Sequence, residues 1–170
     1  MRALVVYESM WGNTEQVAQA IATGIRETCP VDVVDVGDAP AQPGSDVSLI
    51  VAGGPTHAFS MSKSATRAEA HRRGASQGSD AVGIREWLGA LPAGHHRQAV
   101  ATFDTKVERV RHLPGSAAKK AGRVAARLGY ERSDHAHSFF VADTDGPLVD
   151  GELERATEWG RRLATTTVPN

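Results

Sequence analysis

Residues 2–25 read RALVVYESMWGNTEQVAQAIATGI, and this stretch decides the fold class. The continuous apolar run from Ala3 to Tyr7 predicts a fully buried strand. After a short polar gap, Val17, Ile21 and Ile25 recur every four residues, as on the packed face of a helix. A buried strand that leads directly into such a helix is typical of a parallel sheet covered by helices.

The rest of the chain repeats this alternation of apolar runs and helical periodicity. Together with the first run, the pattern predicts five strands, each followed by a helix. Right-handed connections then favour an α/β three-layer sandwich with strand order 2-1-3-4-5 and a ligand site beyond the carboxyl ends of strands 1, 3 and 4. The four later strands are expected at residues 31–36, 48–54, 98–103 and 138–143.

The polar segment MSKSATRAEAHRRGASQGSD interrupts one strand–helix unit. It is rich in Gly and Ser, and we interpret residues 61–80 as a surface insertion that carries a short helix. The helix that crosses back to the fourth strand is expected in GIREWLGAL, which follows it. Residues 1–170 are therefore expected to form a single domain.

Composition excludes several classes of function. A net charge of -1 and an aromatic content of 5% argue against a nucleic-acid partner. The single cysteine, Cys29, cannot form an intramolecular disulfide, and the histidines lack the spacing of a metal site, so no metal is expected. No run is long enough for a membrane span, so no membrane partner is expected and the default location is cytoplasmic.

The gap in the opening stretch, Ser9 to Thr14, has the chemistry of a phosphate site. The N–H groups at a helix N-terminus have no helical acceptors and carry partial positive charge. Ser9, Asn13 and Thr14 add neutral donors, and Gly12 lets the backbone bend around an anion. The triphosphate loop GxxxxGK[ST] and the dinucleotide fingerprint GxGxxG are both missing. A mononucleotide phosphate suits this loop, although Ser9 and Thr14 could instead only cap the helix.

The hexapeptide Ser9-Met10-Trp11-Gly12-Asn13-Thr14 resembles the phosphate loop of flavodoxins, [TS]-x-T-G-x-T, with Trp11 in place of the central Thr. Its SMxG form and the later PTHAF also resemble flavodoxin-type NAD(P)H:quinone oxidoreductases and the flavin modules of diiron flavoproteins. FDTK, SFFV and GPLxxGELERAxEWG are similar to actinobacterial flavodoxin-domain proteins. The resemblance implies a flavodoxin-like fold and flavin mononucleotide (FMN) as cofactor.

Carried onto this sequence, the resemblance implies three groups of cofactor-binding residues. The first holds the FMN phosphate, with one donor lost at Trp11, and the other two lie on loops that flank the isoalloxazine ring. The residues expected at the phosphate are Ser9, Met10, Trp11, Gly12, Asn13 and Thr14. The residues expected at the ring are, on one loop, Pro55, Thr56, His57, Ala58 and Phe59 and, on the other, Thr102, Phe103, Asp104, Thr105 and Lys106.

Five of these residues have competing interpretations. Phe59 and Phe103 lie where flavodoxins place ring-stacking aromatics, or both are core residues. His57 is a possible catalytic residue that hydrogen-bonds the flavin or a substrate, or it is a solvated loop histidine. Asp104 and Thr105 contact the flavin pyrimidine or only form a turn.

Two basic clusters distinguish this chain from the strongly acidic electron-transfer flavodoxins. Residues 106–127 carry a local charge of +6, and a second cluster lies in the insertion. Either is a solvated surface, or it flanks the flavin and suits an acidic protein partner or a phosphorylated cofactor such as NADPH. The clusters are Lys106, Arg109, Arg111, Lys119, Lys120, Arg123 and Arg127, and Lys63, Arg67, Arg72 and Arg73.

Three functions remain open at this level. The first is electron transfer through bound FMN to a redox partner protein, the second a small reductase that uses NAD(P)H or a quinone, and the third a flavin-free interaction protein. The loop after Pro55 contains no glycine, so positive φ at Ala58 or Phe59 is expected to be unfavourable. That expectation would favour two-electron hydride chemistry, because flavodoxins flip a peptide in this loop when the flavin takes one electron.

Overall fold

The structure, a computed structural model, describes residues 2–167. Its strands and helices alternate along the chain as the sequence predicts. The strands are β1 (Arg2–Tyr7), β2 (Val31–Asp35), β3 (Val47–His57), β4 (Ser60–Met61), β5 (Ala99–Val107), β6 (Glu131–Arg132) and β7 (His137–Val141). The helices are α1 (Asn13–Arg26), α2 (Ser64–Arg72), α3 (Ile84–Ala90), α4 (Ala117–Arg127) and α5 (Glu152–Thr167), with a 3₁₀ turn at Glu108–Val110.

The central sheet is parallel, in the order β2-β1-β3-β5-β6. The short strand β7 also pairs with β5, further along it, so β6 and β7 together occupy the position of the predicted fifth strand. The predicted order 2-1-3-4-5 and the flavodoxin-like fold are therefore confirmed. Among the strands of residues 2–167, only β4 runs antiparallel, as the return strand of a hairpin with the end of β3.

Two hydrophobic layers cover the sheet. On one face, α1 and α5 pack their apolar stripes against the sheet, where Ile21, Phe103 and Trp159 are fully buried. On the other face, α3 and α4 cover a second layer that includes Trp87 and Leu88. Helices cover both faces of the sheet, which explains why the strands are continuous apolar runs and do not alternate with polar residues.

β3 and β5 extend further than the sequence predicts. The expected loop residues Pro55–His57 belong to β3, and Thr102–Lys106 belong to β5, with Pro55 paired to Thr105. The prediction of loops at these positions was wrong. Their polar residues suggest loops by composition, but each polar side chain finds a partner inside the fold.

The turn between β3 and β4 already has the conformation that the missing glycine makes unfavourable. Ala58 and Phe59 both take positive φ, 46° and 64°, while His57 pairs with Ser60. This geometry is that of a two-residue hairpin, whose turn needs positive φ at both central residues. The unfavourable conformation is already present, so it gives no reason to prefer hydride chemistry over one-electron transfer.

The segment predicted as a surface insertion contains α2 and packs against the Ser9–Thr14 loop. Met10, Trp11, Ala70 and Ala75 form a small hydrophobic cluster there. The backbone N–H of Gln77 donates to the carbonyl of Met10 at 3.2 Å. The insertion is therefore a wall of the site described next.

Across residues 2–167 the structure contains no helix whose length and apolar character would allow it to cross a membrane.

Candidate functional site

A cleft of about 380 Å³ opens at the carboxyl ends of β1, β3 and β5, within the volume range of small-molecule sites. Three parts of the chain form it: the Ser9–Thr14 loop, the ends of the central strands, and α2. The lining residues are Ser9, Met10, Trp11, Asn13, Thr14, Pro55, Thr56, His57, Ala58, Ala65, Thr66, Glu69, Ala70, Arg73, Thr105, Val107, Val141 and Thr144.

The Ser9–Thr14 loop brings the N-terminus of α1 to this cleft. Gly12 has φ of 87°, which reverses the chain so that α1 begins at Asn13. The hydroxyl oxygen of Ser9 accepts the Gly12 N–H at 3.0 Å and holds the turn closed. The first N–H groups of α1 have no helical acceptor and face the end of the cleft where this loop lies. An anion at that end is favoured by these donors and by the helix dipole.

The side chains of Asn13 and Thr14 mainly fix the loop in place. The Thr14 hydroxyl forms a buried hydrogen bond of 2.8 Å with the Thr105 hydroxyl on β5. The amide of Asn13 donates to the carbonyl of Asp145, at 3.1 Å, in the segment before α5. Since one hydroxyl of the Thr14–Thr105 pair accepts, its own proton remains free for a ligand. Backbone N–H groups are consequently the main donors at this loop.

Trp11 contributes bulk to the cleft wall. Its ring contacts the cluster formed with Ala70 and Ala75, and its indole N–H is buried with no acceptor in residues 2–167. The replacement of the central family Thr by Trp11 thus exchanges a hydroxyl donor for packing against α2. This contact is one of those that hold α2 over the cleft.

α2 presents one helical face to the cleft. Its residues 65, 66, 69, 70 and 73 line the cavity, at the spacing that places residues on one side of a helix. Thr66 lies beside His57, with 3.2 Å between its hydroxyl and the imidazole Nδ1. At the other end, Ala70 packs near Trp11. α2 therefore runs along the cleft from the β3–β4 hairpin to the N-terminus of α1.

His57 is half-buried in the cleft wall. Burial, and after it the positive charge of Arg67, lowers the pKa of this imidazole below its usual value. His57 is therefore neutral at neutral pH and has both a donor and an acceptor nitrogen. A neutral imidazole suits hydrogen bonding to a polar ligand edge.

A buried polar network attaches the insertion beneath the cleft. Arg67 is 0% exposed, and its Nη1 donates at 2.8 Å to the Ser62 hydroxyl, which in turn donates to Glu8. A second guanidinium nitrogen lies 3.1 Å from a carboxylate oxygen of Glu86. The N–H of Ile84 donates to Glu8 at 2.9 Å. The network joins the end of β1, the start of α3 and α2.

Strand alternation explains why only part of the 102–106 group reaches the cleft. Thr105 points to the cleft side of β5, whereas Thr102 and Asp104 point to α4. One carboxylate oxygen of Asp104 accepts from Thr56, Ser116 and the Ala118 N–H, so this residue caps α4 instead of lining the cleft. The expected place of Asp104 beside the flavin pyrimidine does not agree with this position.

Two more of the predicted residues on β5 also lie away from the cleft. Phe103 is 0% exposed in the core, edge-on to Phe139 and Trp159, so the expectation that it stacks on a ring does not fit its position. Lys106 is buried, and its ammonium donates to the carbonyls of Leu113 and Gly115.

Phe59, the other predicted stacking residue, is at the hairpin tip. It is 52% exposed and packs towards Gly115, outside the cavity lining. Gly12 is also absent from the lining, although its neighbours on both sides belong to it.

Comparisons with known proteins agree with this geometry. A sequence model described as flavodoxin matches residues 5–81, which include the phosphate loop and most of the insertion. Among solved structures, flavodoxin 1 from Bacillus cereus has a TM-score of 0.69 at 18% identity, covering 97% of this chain and 98% of that one. A flavodoxin from the domain Archaea has a TM-score of 0.65 at 20% identity, covering 98% and 99%. The chain has the flavodoxin-like fold.

The same fold recurs as part of a larger redox protein. Rubredoxin oxygen:oxidoreductase from Desulfovibrio gigas matches with a TM-score of 0.65 at 15% identity, covering 98% of this flavodoxin-like chain and 36% of that protein. No curated protein matches the chain. At the level of the family, flavodoxins are electron-transfer proteins that bind FMN.

Sequence reasoning missed the α2 residues that line the cleft of this flavodoxin-like chain. The small and polar residues Ala65, Thr66, Glu69, Ala70 and Arg73 have helical spacing, which was a usable signal for the helix. Nothing in that spacing indicates which face meets the cleft, because α2 carries no strong apolar stripe. Val107 and Val141, at strand ends, and Thr144, in the turn after β7, were also missed because they carry no special chemistry.

Proposed function

We propose that this protein binds FMN in the cleft and transfers electrons through it to and from a redox partner protein. The observation that carries the proposal is the 380 Å³ cleft at the carboxyl ends of β1, β3 and β5, with the N-terminus of α1 at one end. Ligands of open α/β sheets bind at such a switch point. Residues 1–170 act as one FMN-binding domain in this proposal.

The donor set of the cleft fits FMN. At the α1 end, neutral hydroxyls and helix N–H groups suit a single phosphate. Towards the β3–β4 hairpin, the cavity runs between Pro55 and Ala58 on one side and Ala65 on the other, all small side chains that leave room for a flat ring. His57 offers a polar contact at that end.

In this role the residues of the chain bind and orient the cofactor. The α1 N-terminus holds the phosphate, and the Thr14–Thr105 bond keeps that loop against β5. α2 and the end of β3 both line the cavity and restrict water at the ring. FMN, when bound, supplies the redox chemistry. The neutral imidazole of His57 hydrogen-bonds a polar edge without adding charge.

We prefer an electron-transfer protein with a protein partner to a reductase that uses NAD(P)H and a quinone. Hydride chemistry would be favoured if the hairpin turn had to enter unfavourable positive φ, but Ala58 and Phe59 already have that conformation. The basic clusters are also weaker than their sequence suggests, because Lys106 and Arg67 are buried and bonded internally. In the proposed role the protein works in the cytoplasm, where the buried thiol of Cys29 stays reduced.

A visible spectrum of the purified protein before and after addition of FMN tests the proposal. We expect a bound flavin spectrum, quenched flavin fluorescence and weaker binding of riboflavin, which lacks the phosphate. Incubation with NADPH and a quinone separates the two redox uses, and a carrier should show no turnover as a single chain. A protein that stays colourless after FMN addition would support the flavin-free alternative.

A further inference from the structure

We propose that Arg73 pairs with the phosphate of the bound flavin nucleotide and replaces the donor that the phosphate loop lost at Trp11. This inference rests on the proposed function, since it assigns a residue to the same site. It makes the phosphate end of the cleft cationic, whereas the Ser9–Thr14 loop alone is neutral.

The position of Arg73 follows from the direction of α2. The helix begins near His57, through the Thr66 contact of 3.2 Å, and ends beside the phosphate loop. Arg73 is its C-cap residue and lines the cleft. The next residue, Gly74, lies against the Trp11 ring, since a Cβ there would be 4.0 Å from it. Arg73 is therefore at the phosphate end.

The segment after Arg73 is bound tightly to the same loop. The Gln77 N–H donates to the Met10 carbonyl at 3.2 Å, and the Gln77 side chain lies beside Gly12. A Cβ on Gly78 would be 2.9 Å from the Ser9 carbonyl. Because these contacts hold the segment at the α1 N-terminus, Arg73 is held there as well.

The charge of Arg73 is not used elsewhere in residues 2–167. Its neighbour Arg72 pairs with Glu69 at 2.6 Å, and Arg67 pairs with Glu86, whereas the guanidinium of Arg73 makes no ion pair in the described chain. Its field reaches the opposite rim, where the Thr144 N–H and then the charges of Arg109 and Arg73 lower the pKa of Asp143. A cation free of a partner at this position is available to an anion.

The helix dipoles explain why a cation is needed. The N-terminus of α1 attracts a phosphate, but the C-terminus of α2 meets the same end of the cleft with partial negative charge. The Arg73 side chain offsets that charge and can form two parallel hydrogen bonds to phosphate oxygens. In place of the hydroxyl donor of the loop, this chain thus has the bulk of Trp11, which packs against α2, and the positive charge of Arg73.

The test compares Arg73→Gln with Arg123→Gln, an exposed arginine on α4 that serves as the matched control. Fluorescence quenching gives the dissociation constants of FMN and riboflavin at low and high salt. We expect Arg73→Gln to weaken FMN binding about 10-fold, to leave riboflavin within about 2-fold, and to reduce the salt dependence of FMN binding. Arg73→Lys should retain part of the affinity, and Arg123→Gln all of it.

The outcomes separate this inference from the proposed function. If the wild-type protein binds no FMN, the proposed function fails and the role of Arg73 fails with it. If the wild type binds FMN and Arg73→Gln binds it equally well, or loses FMN and riboflavin affinity equally, only the role of Arg73 is refuted.

Discussion

Ala58 and Phe59 show how a single turn stores strain beside the cleft. Their positive φ values of 46° and 64° cost about 1 kcal/mol each for residues with a side chain. The turn persists because β3 and β4 pair on both sides of it and Phe59 packs closely on Gly115. The structure around the turn therefore holds these two residues in a backbone conformation that is unfavourable for them in isolation.

Replacing Ala58 by Gly should stabilise the protein by about 0.5 kcal/mol. Gly relieves the strain at positive φ but costs entropy in the unfolded chain, and relief exceeds that cost here. Chemical denaturation measures the change. The control is Ala126→Gly, at an exposed position in α4, which should destabilise the protein by up to about 1 kcal/mol. Equal losses in both variants would contradict the strain argument.

At the scale of elements, α2 stays on the cleft because of buried charge more than apolar contact. Its buried residues are only Arg67 and Ala70. The Glu8–Ser62–Arg67 connections replace the hydrophobic stripe that would normally hold a helix down. The space is so restricted that a Cβ on Gly83 would be 2.5 Å from both Arg67 Nη1 and Glu8 Oε2. Placement of the cleft wall therefore depends on this network.

Arg67→Met should lower the free energy of unfolding by about 3 kcal/mol, because it removes a buried cation that pairs with Glu86, donates to Ser62 and lies near Glu8. Urea denaturation measures this loss. Arg72→Met is the matched control, since Arg72 and Glu69 form an exposed pair that contributes less than about 1 kcal/mol. A small, equal effect of both changes would show that the network does not hold α2.

The pH dependence of stability should report Glu8. Burial raises the pKa of this carboxyl above its ordinary value of 4.5, although the Ser62 and Ile84 hydrogen bonds and the Arg67 charge oppose the shift and Glu86 adds to it. The folded state thus prefers protonated Glu8, and its contribution is lost as pH rises from 4.5 through the raised pKa. The free energy of unfolding of wild type minus that of Glu8→Gln should therefore fall over this pH range. A difference that rises with pH would reverse the sign and refute the assignment.

For the whole molecule, the close approach of α1 and α5 sets the thickness of one helical layer. A Cβ on Gly24 would be 2.0 Å from the Thr157 carbonyl, and one on Gly160 would be 2.1 Å from the Ile21 carbonyl. The two helices therefore meet backbone to backbone at these glycines. This packing fixes the position of α1, whose N-terminus lies at one end of the cleft.

Gly24→Ala should destabilise the protein by about 2 kcal/mol, since the methyl group can fit only if the helices move apart. The matched control is Gly89→Ala in α3, where a Cβ meets nothing within 4 Å. The control should gain about 0.5 kcal/mol from the better helix propensity of Ala. Thermal unfolding of both variants measures the contrast, and a Gly24→Ala protein as stable as the control would contradict it.

The sequence was sufficient to predict the sheet, its order and the end of the sheet that carries the site. The apolar periods at Ala3–Tyr7 and along α1 specify buried strand and helix, and right-handed connections leave few topologies. It could not predict how far β3 and β5 extend. Thr56, Asp104 and Thr105 read as loop residues until the partners that satisfy their hydroxyl and carboxylate groups are known.

The sequence by itself determined the fold class and the turn from β1 into α1 at Ser9–Thr14, because periodicity and helix-terminal chemistry are local properties of neighbouring residues. Only the tertiary structure decided that Phe103 is core, that Arg67 and Lys106 are internal, and that α2 forms a wall of the cleft. These outcomes depend on pairs far apart in the chain, such as Glu8 with Ser62. A buried polar side chain is stable only when a distant partner satisfies it, and the sequence does not specify which distant residues meet.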